Sequence, residues 1–480
     1  MKRKAKMMKK SLKMLLAMAL SLALLVGCTS GTTTQETDTP SATTPADDTG
    51  GAGTSADDTA AGGLPAMTTE NITLRYAYWG QHEKGETEVT QAQKKQFEDK
   101  YPNITIEFVE IDQGQWAETL QNMAATGTLP DVFGVFSVSQ AVMNEWALPL
   151  DDLYALDPDT ADMYPAFEQN SLVNGQRYAM PWVMFPHLVF LNKTLFERYN
   201  EPLPSYDWTV DEFFEIATRL SYPEEFYFGT SNPLYEDLFP AWYNGNQGKW
   251  GWDGKDYHFD QVWVDAMNKR YELMDAQILE WAPAEDKEHF LGDPDAWPPG
   301  WGRVAMHLDW PWTIAHFEDV VTQQSGCEFL YYPLPQGPTG QQLVIVDNAV
   351  ISAATNHPRE AWELLKWTTW GEEAMLSRQQ AYRDAGANVS RMPVTGNQAA
   401  WDDLISNATR DDLKELYVRL NDLVPSPWPV SPGWDDIQNW INEQDIYGRL
   451  DRREIAPADV AAELNTKANE LKEEFIQRLP

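Results

Sequence analysis

Cysteine is nearly absent from this chain: Cys28 and Cys327 are the two in 480 residues. A disulfide framework is therefore excluded. Positive charge is scarce as well, with 36 Lys+Arg against 73 Asp+Glu and a formal net charge of -37. Seven of the basic residues (Lys2, Arg3, Lys4, Lys6, Lys9, Lys10, Lys13) lie in an N-terminal stretch without any acid. The remainder has 29 basic and 73 acidic residues, a net charge of about -44. Such a surface repels phosphate backbones and excludes nucleic acid as a partner. No G-x-S-x-G, Walker loop or G-x-G-x-x-G stands where it would matter. The seven histidines (82, 187, 258, 289, 307, 316, 357) show no His-Glu-x-x-His spacing, and Asp253, Asp256 and Asp260 do not follow a calcium loop. His307 and Asp309 alternate on one strand face, but two ligands make a weak metal signal. No metal or cofactor is expected.

Long apolar runs are also missing, except for Met14–Val26, which follows the basic stretch. That run is short for a membrane span and has the layout of a secretory signal. It ends in Leu25-Val26-Gly27-Cys28, which resembles the lipobox of bacterial lipoproteins. In that family the cysteine receives a diacylglycerol and becomes the new N-terminus, so the resemblance implies export and a membrane tether through Cys28. Residues 29–69 are mostly Thr, Ser, Gly, Ala, Pro and Asp, with no Lys or Arg and hardly a large apolar side chain beyond Leu64 and Met67. Such a segment cannot bury enough surface to offset its ordering entropy and is expected to be a disordered tether. With Cys28 lipidated, Cys327 has no partner and is expected to be a small buried hydrophobe.

What the rest has in quantity is apolar and aromatic: 43% hydrophobic residues and 21 Trp. Ile72–Gly80 alternates like a strand and stops at glycine; Val89, Ala92, Gln93, Gln96 and Phe97 then fall at helical spacing, and Ile104–Val109 reads as a second strand. Strand, helix, strand over about forty residues is a βαβ unit and implies a parallel sheet. A helix through Trp116, Leu120 and Met123 leads to a third strand at 131–136. The fold class is α/β. Asn174-Gly175 and Asp253-Gly254 mark hairpin turns. Thr209-Val210-Asp211-Glu212 reads as a capping box, and Pro358 stands where its missing N–H costs nothing at a helix start. Beyond Trp401 the chain reads as helical apart from the loop 425–432. Roughly 411 residues after the tether exceed a single core and suggest two lobes.

Six blocks in order then resemble one family. They are Lys95–Ile104, Leu129-Pro130-Asp131-Val132, Tyr178–Phe196, Asp207–Phe213, Gly302–Trp312 and Pro358–Glu363. Together, behind the lipobox, they are similar to the family 1 extracellular solute-binding proteins of ABC importers, the maltose-binding-protein type. The resemblance implies a two-lobed periplasmic-binding-protein fold with a ligand cleft between the lobes and a three-crossing hinge. It divides the chain into a signal peptide (1–27), a lipidated Cys with its tether (28–69), an N-terminal lobe (70–182 and 349–390) and a C-terminal lobe (183–348 and 391–480).

Pyranose rings present apolar C–H faces and equatorial hydroxyls, so a sugar binder needs flat aromatic platforms with polar groups at their edges. Where the family places its cleft, this sequence has Trp79, Gln81 and Glu83 at the end of the first strand, and Asp131 and Ser137 at the two ends of the third. Trp182 and Phe185 lie on the first crossing, and Trp242 and Asn244 in an aromatic–amide loop. Asp309, Trp310 and Trp312 follow a strand, with Asn348 and Arg391 at the later crossings. Asp131 reads equally as a turn cap, and Arg391 as a surface residue. Trp362, Trp367 and Trp370 sit at helical spacing and belong to the core; Trp250 and Trp252 pack against the turn at Asp253.

The reading is a lipoprotein, monomeric and without enzymatic activity, on the outer face of the cytoplasmic membrane. It captures a carbohydrate, an oligosaccharide by preference, and delivers it to ABC permease subunits by hinge closure. A cell-surface glycoside hydrolase and a binder of another solute such as a polyamine remain the alternatives. Among 73 acids a carboxylate pair can always be found, so acidic pairs do not discriminate.

Overall fold

The structure is a computed structural model that describes residues 63–79, 85–168, 171–231, 235–420, 422–426 and 431–479. The signal, Cys28 and most of the expected tether lie outside the described residues, as do Gln81 and Glu83. Strand β1 (Ile72–Ala77) and β2 (Ile104–Phe108) pair in parallel from Ile72↔Ile104 to Tyr76↔Phe108. The helix between them, Glu86–Lys100, buries Val89, Gln93 and Phe97, one residue per turn, so one face lies on the sheet. β3 (Val132–Val135) is buried along its length and runs parallel to β1. β4 (Leu172–Val173) and β5 (Gln176–Arg177) form the expected hairpin, with Asn174 at φ 52° and Gly175 at φ 77°. Two left-handed residues match the twist of the flanking strands.

β6 (Met180–Pro186) and β7 (Leu188–Asn192) are wholly buried and separated by His187 alone. β6 belongs to the first sheet and β7 to the second, so the chain changes sheet at His187. β8 (Phe228–Ser231) runs parallel to β9 (Val304–Asp309), and β10 (Phe329–Pro333) completes a second sheet in the order β10-β7-β9-β8. The chain returns to the first sheet with β11 (Gln342–Ile351), which pairs with β12 (Leu423–Pro425), β3 and β6. Opposite Asp347 and Asn348 the register slips by one residue, leaving Trp182 of β6 unpaired in a bulge. Bulges re-aim side chains in this way.

The described part lies within one compact unit, Thr59–Pro480, with two main apolar cores. On β7, Leu188 and Phe190 enter the first, which runs on through Leu74, Phe97, Trp116 and Trp362; Val189 and Leu191 enter the second, with Trp208, Trp242, Trp250 and Trp263. Period-2 alternation thus lets one strand serve both. The helix Val210–Arg219 opens on the expected capping box and lies so close to β8 that a Cβ on Gly229 would come within 1.9 Å of the Ala217 carbonyl oxygen. Trp362, Trp367 and Trp370 are core residues, and Pro358 opens its helix.

Several expectations shift. No strands flank Asp253-Gly254: the Asp253 carboxylate accepts from the amides of Lys255 and Asp256 (2.9 and 2.8 Å) and stands in for ladder bonds. The changes of sheet fall at His187 and between Pro333 and Gln342, rather than after Trp182 and Asn348. Beyond 391, the helix Gln398–Ser406 packs on Glu372–Asp384, where Gln379 Nε2 donates to Ala400 O at 3.1 Å, so that segment stays with the first sheet. Cys327 is half-buried and free. No helix among the described residues is long and apolar enough to cross a membrane.

Candidate functional site

In α/β sheets the C-terminal ends of parallel strands, where successive connections leave to different sides, form the crevice that takes a ligand. Here those ends are Trp79, Phe136 and Ser137 beyond β1 and β3, and Ser231 and Asp309 on β8 and β9. The short link through His187 joins the two sheets. Side chains at these positions fall into two clusters.

The first surrounds Trp79. Its ring is stacked on Phe136 at 4.6 Å and meets Trp116 and Trp182 edge-on at 5.1 and 5.5 Å. Its indole N–H donates to Asp347 Oδ2 at 2.9 Å, which pins the end of β1 to β11. Arg391 donates from Nη2 to the Trp79 carbonyl at 2.7 Å, pairs through Nε with Glu86 at 3.0 Å and lies over the Trp182 ring at 5.2 Å. Trp79, Trp182 and Arg391 are all buried here, so Arg391 is an internal tie rather than a surface residue. Ser137 is half-buried and caps the helix Val138–Met143 by accepting from the Gln140 amide. Asn348 is fully buried; its amide donates to Val346 O, and its Oδ1 has no partner among the described residues.

The second cluster gathers at the end of β9. Asp309 Oδ1 accepts from the Trp310 amide at 2.9 Å, and its Oδ2 lies 3.2 Å from His307 Nε2. His307 Nδ1 is in turn 2.7 Å from Ser231 Oγ. The order Ser–His–Asp invites comparison with a nucleophilic triad. Ser231 and His307 are both buried, however, and the chain of bonds serves to aim the partly exposed Asp309 carboxylate. Pro311 then starts a single 3-10 turn, and the Thr313 hydroxyl fixes the Trp310 carbonyl at 2.8 Å. Trp310 and Trp312, both half-buried, stack at 5.5 Å with planes 19° apart. Phe185 meets Trp312 edge-on at 4.8 Å, and the His187 ring lies flat on Trp310 at 4.2 Å. A tier of parallel rings with a fixed carboxylate at its edge is the combination a sugar face and its hydroxyls require.

Three expected positions lie elsewhere. Asp131 precedes β3, at the far end from the rim, where its carboxylate accepts from the Arg75 amide and the Thr355 hydroxyl at 2.7 and 2.6 Å; it is a cap. Trp242 is not in a loop but on the last turn of the helix Tyr235–Asn244, completely enclosed in the second core. Asn244 is exposed and donates to Gln247 and Asp260, closing a surface turn. Sequence reasoning missed His187, which is 1% exposed and has neither ring nitrogen hydrogen-bonded among the described residues. Burial pushes its pKa down to about 3, so the ring is neutral. A histidine inside an otherwise apolar run from Met180 to Leu191 was the available signal. It also missed Trp297, 41% exposed and edge-on to His307 at 5.3 Å. No group of three or more metal-ligating side chains occurs among the described residues.

Comparison with known proteins is consistent with this geometry. The family described as bacterial extracellular solute-binding protein matches residues 79–369, more than half of the chain. An uncharacterized ABC transporter extracellular-binding protein of Pyrococcus horikoshii is 24% identical over 310 residues, 60% of this chain and 65% of that protein. The chain thus spans just under two thirds of that relative's length. Among solved structures, the ABC substrate-binding protein of Listeria monocytogenes in complex with cycloalternan superposes with a TM-score of 0.64 at 16% identity, covering 84% of this chain and 99% of the other. The sugar-binding protein MalE from Xanthomonas citri gives 0.61 at 18% identity, covering 84% and 98%. The fold is the two-lobed one of periplasmic binding proteins.

Proposed function

The chain belongs to the bacterial extracellular solute-binding proteins, and from that premise we propose that it is the substrate-capturing subunit of an ABC importer and that its solute is a carbohydrate, an oligosaccharide by preference. The observation that carries the sugar reading is the tier Trp310–Trp312 with Asp309 at its edge, at the strand ends beside the link between sheets. Relatives of the same fold that hold cycloalternan, or are named as sugar-binding, support it.

Two lobes, one on each sheet, close about the links at His187 and 334–341. Ligand bridging the lobes shifts the population toward the closed form, and that form presents the face the permease reads. Trp310 and Trp312 carry the apolar faces of the rings, and Phe185 backs Trp312. Asp309 and Ser137 take hydroxyl groups, whereas Asn348 is fully buried and does not; Gln81 and Glu83 enter on their place in the chain alone. No bond is made or broken. The protein works outside the cell as a monomer, held to the membrane through a lipid on Cys28.

The test is a thermal-shift screen of the purified protein against mono- and oligosaccharides, polyamines and amino acids. A ligand at a hundredfold excess over its dissociation constant adds about 2.7 kcal/mol of stability to the folded state. A shift with one oligosaccharide that is recovered intact supports the reading. Shifts confined to polyamines or amino acids overturn the sugar assignment, and release of shortened products would make the protein a glycoside hydrolase.

A further inference from the structure

A second polar space lies inside the first sheet's helical cover. It is a cavity of about 20 Å³ between β1, β2 and the helices Glu86–Lys100, Pro358–Thr368 and Glu372–Asp384. That volume suits a single particle of about a water's size. Three cationic side chains line it, Lys94, Arg378 and Arg391, against one carboxylate, Glu86.

Two of the cations are already engaged. Lys94 donates to the Ile106 carbonyl at 2.6 Å and pairs with Glu98 at 3.6 Å. Arg391 holds Glu86 Oε2 and the Trp79 carbonyl. The other oxygen of Glu86 accepts from the Tyr382 hydroxyl. That leaves Arg378, which is 5% exposed and whose guanidinium has neither a hydrogen bond nor an ion pair among the described residues. Guanidinium does not give up its proton in proteins, and an enclosed charge without a partner is strongly disfavoured. Burial pulls the Arg378 pKa down to about 10; the Glu86 carboxylate, which Arg391 already holds, acts against this, and the Arg391 charge adds to it. The hydroxyls of Tyr76 and Tyr78 on the cavity wall are kept protonated by burial; each also meets a threonine hydroxyl of the same wall, Thr368 and Thr90 respectively.

We propose that this cavity binds one small monovalent anion of the halide class, with Arg378 supplying the charge and the tyrosine hydroxyls completing the shell. A phosphate or sulfate is too large for the space, and a carboxylate ligand would need a tail for which there is no room. Bound there, the anion fixes Arg378 behind Arg391, which itself ties the end of β1 to Trp182. The site is independent of what the cleft binds.

The experiment is crystallisation of the protein from sodium bromide, with data collected at the bromine edge. The expected result is an anomalous peak in the cavity, within hydrogen-bonding distance of the Arg378 guanidinium. Ordered water there, in a crystal that shows bromide elsewhere, overturns the proposal. In solution, chloride should raise the unfolding midpoint saturably by about 2 °C over gluconate at equal ionic strength, and the Arg378→Gln variant should lose that dependence. If the variant does not fold, the bromide map on the unmodified protein still decides.

Discussion

The imidazole of His187 lies flat on the indole of Trp310, with ring centroids 4.2 Å apart and planes 16° apart. His187 is the only residue between β6 and β7, and Trp310 packs against both apolar cores. A ring on the inter-sheet link is therefore coupled to a ring of the proposed ligand tier. On the proposed function, movement at the link would disturb the tier, and occupation of the tier would bear on the link.

That burial sets a pH response. Burial disfavours the charged ring of His187 and pushes its pKa in the folded protein down to about 3 from the ordinary 6.5. Below 6.5 the unfolded chain takes up a proton that the folded chain refuses, so stability is complete above that pH. It falls as the pH drops toward 3, by up to about 1.4 kcal/mol per unit. Urea unfolding of the wild type and His187→Phe between pH 7 and 5 should show a shallower loss in the variant, whose ring can keep the stack on Trp310. Parallel profiles would mean that His187 takes its proton in the folded state.

Trp310→Ala and Trp312→Ala should each weaken solute binding by about 2 kcal/mol, roughly 30-fold, while leaving the protein folded. Trp362→Ala provides the contrast. That ring is fully buried far along the sequence in the first core, and its loss should cost about 3–5 kcal/mol of stability with little change in affinity for whatever protein remains folded. Calorimetric titration with the sugar found in the screen separates the two outcomes. Unchanged affinity in both tier variants would remove the tier from the site.

Much of the fold was legible because it follows local rules. The βαβ start, the turn at Asn174-Gly175, the capping box at Thr209 and the core tryptophans of the helix Pro358–Thr368 are each set by neighbours a few residues away. The site was legible only in part. Asp309, Trp310 and Trp312 come together because they are consecutive or nearly so, whereas His187 meets Trp310 across 123 positions, a pairing that β7 and β9 create. Asp131 and Trp242 misled for a related reason. Each has the right chemistry for a site, but strand direction puts one at the wrong end of β3 and helix phase turns the other into the core.

Gly229→Ala should be among the most damaging single-methyl changes in the second sheet. The added carbon would stand 1.9 Å from the Ala217 carbonyl oxygen and 2.5 Å from its carbon, backbone atoms that cannot swing aside. The helix Val210–Arg219 would have to lift off β8, at a cost of about 2–3 kcal/mol or more. Gly127→Ala is the control, since no atom lies within 4 Å of a Cβ there, although its φ of +66° adds backbone strain. A midpoint drop no larger at 229 than at 127 would show that the helix and strand do not approach so closely.

Trp79→Phe tests whether the indole N–H, rather than the ring, secures the end of β1. Phenylalanine preserves a ring against Phe136 and Trp116 but removes the donor that Asp347 Oδ2 receives at 2.9 Å. Asp347 is 8% exposed, so water does not readily replace the lost bond. The expected cost is about 1–3 kcal/mol, the range for leaving a buried acceptor short of a donor. Asp347→Asn in the same background should recover part of it, because the neutral amide is less costly to leave under-bonded than a carboxylate. A double-mutant cycle on unfolding free energy measures the coupling. Strict additivity would mean that Trp79 and Asp347 are neighbours without a bond, and that the join between β1 and β11 rests on ring packing alone.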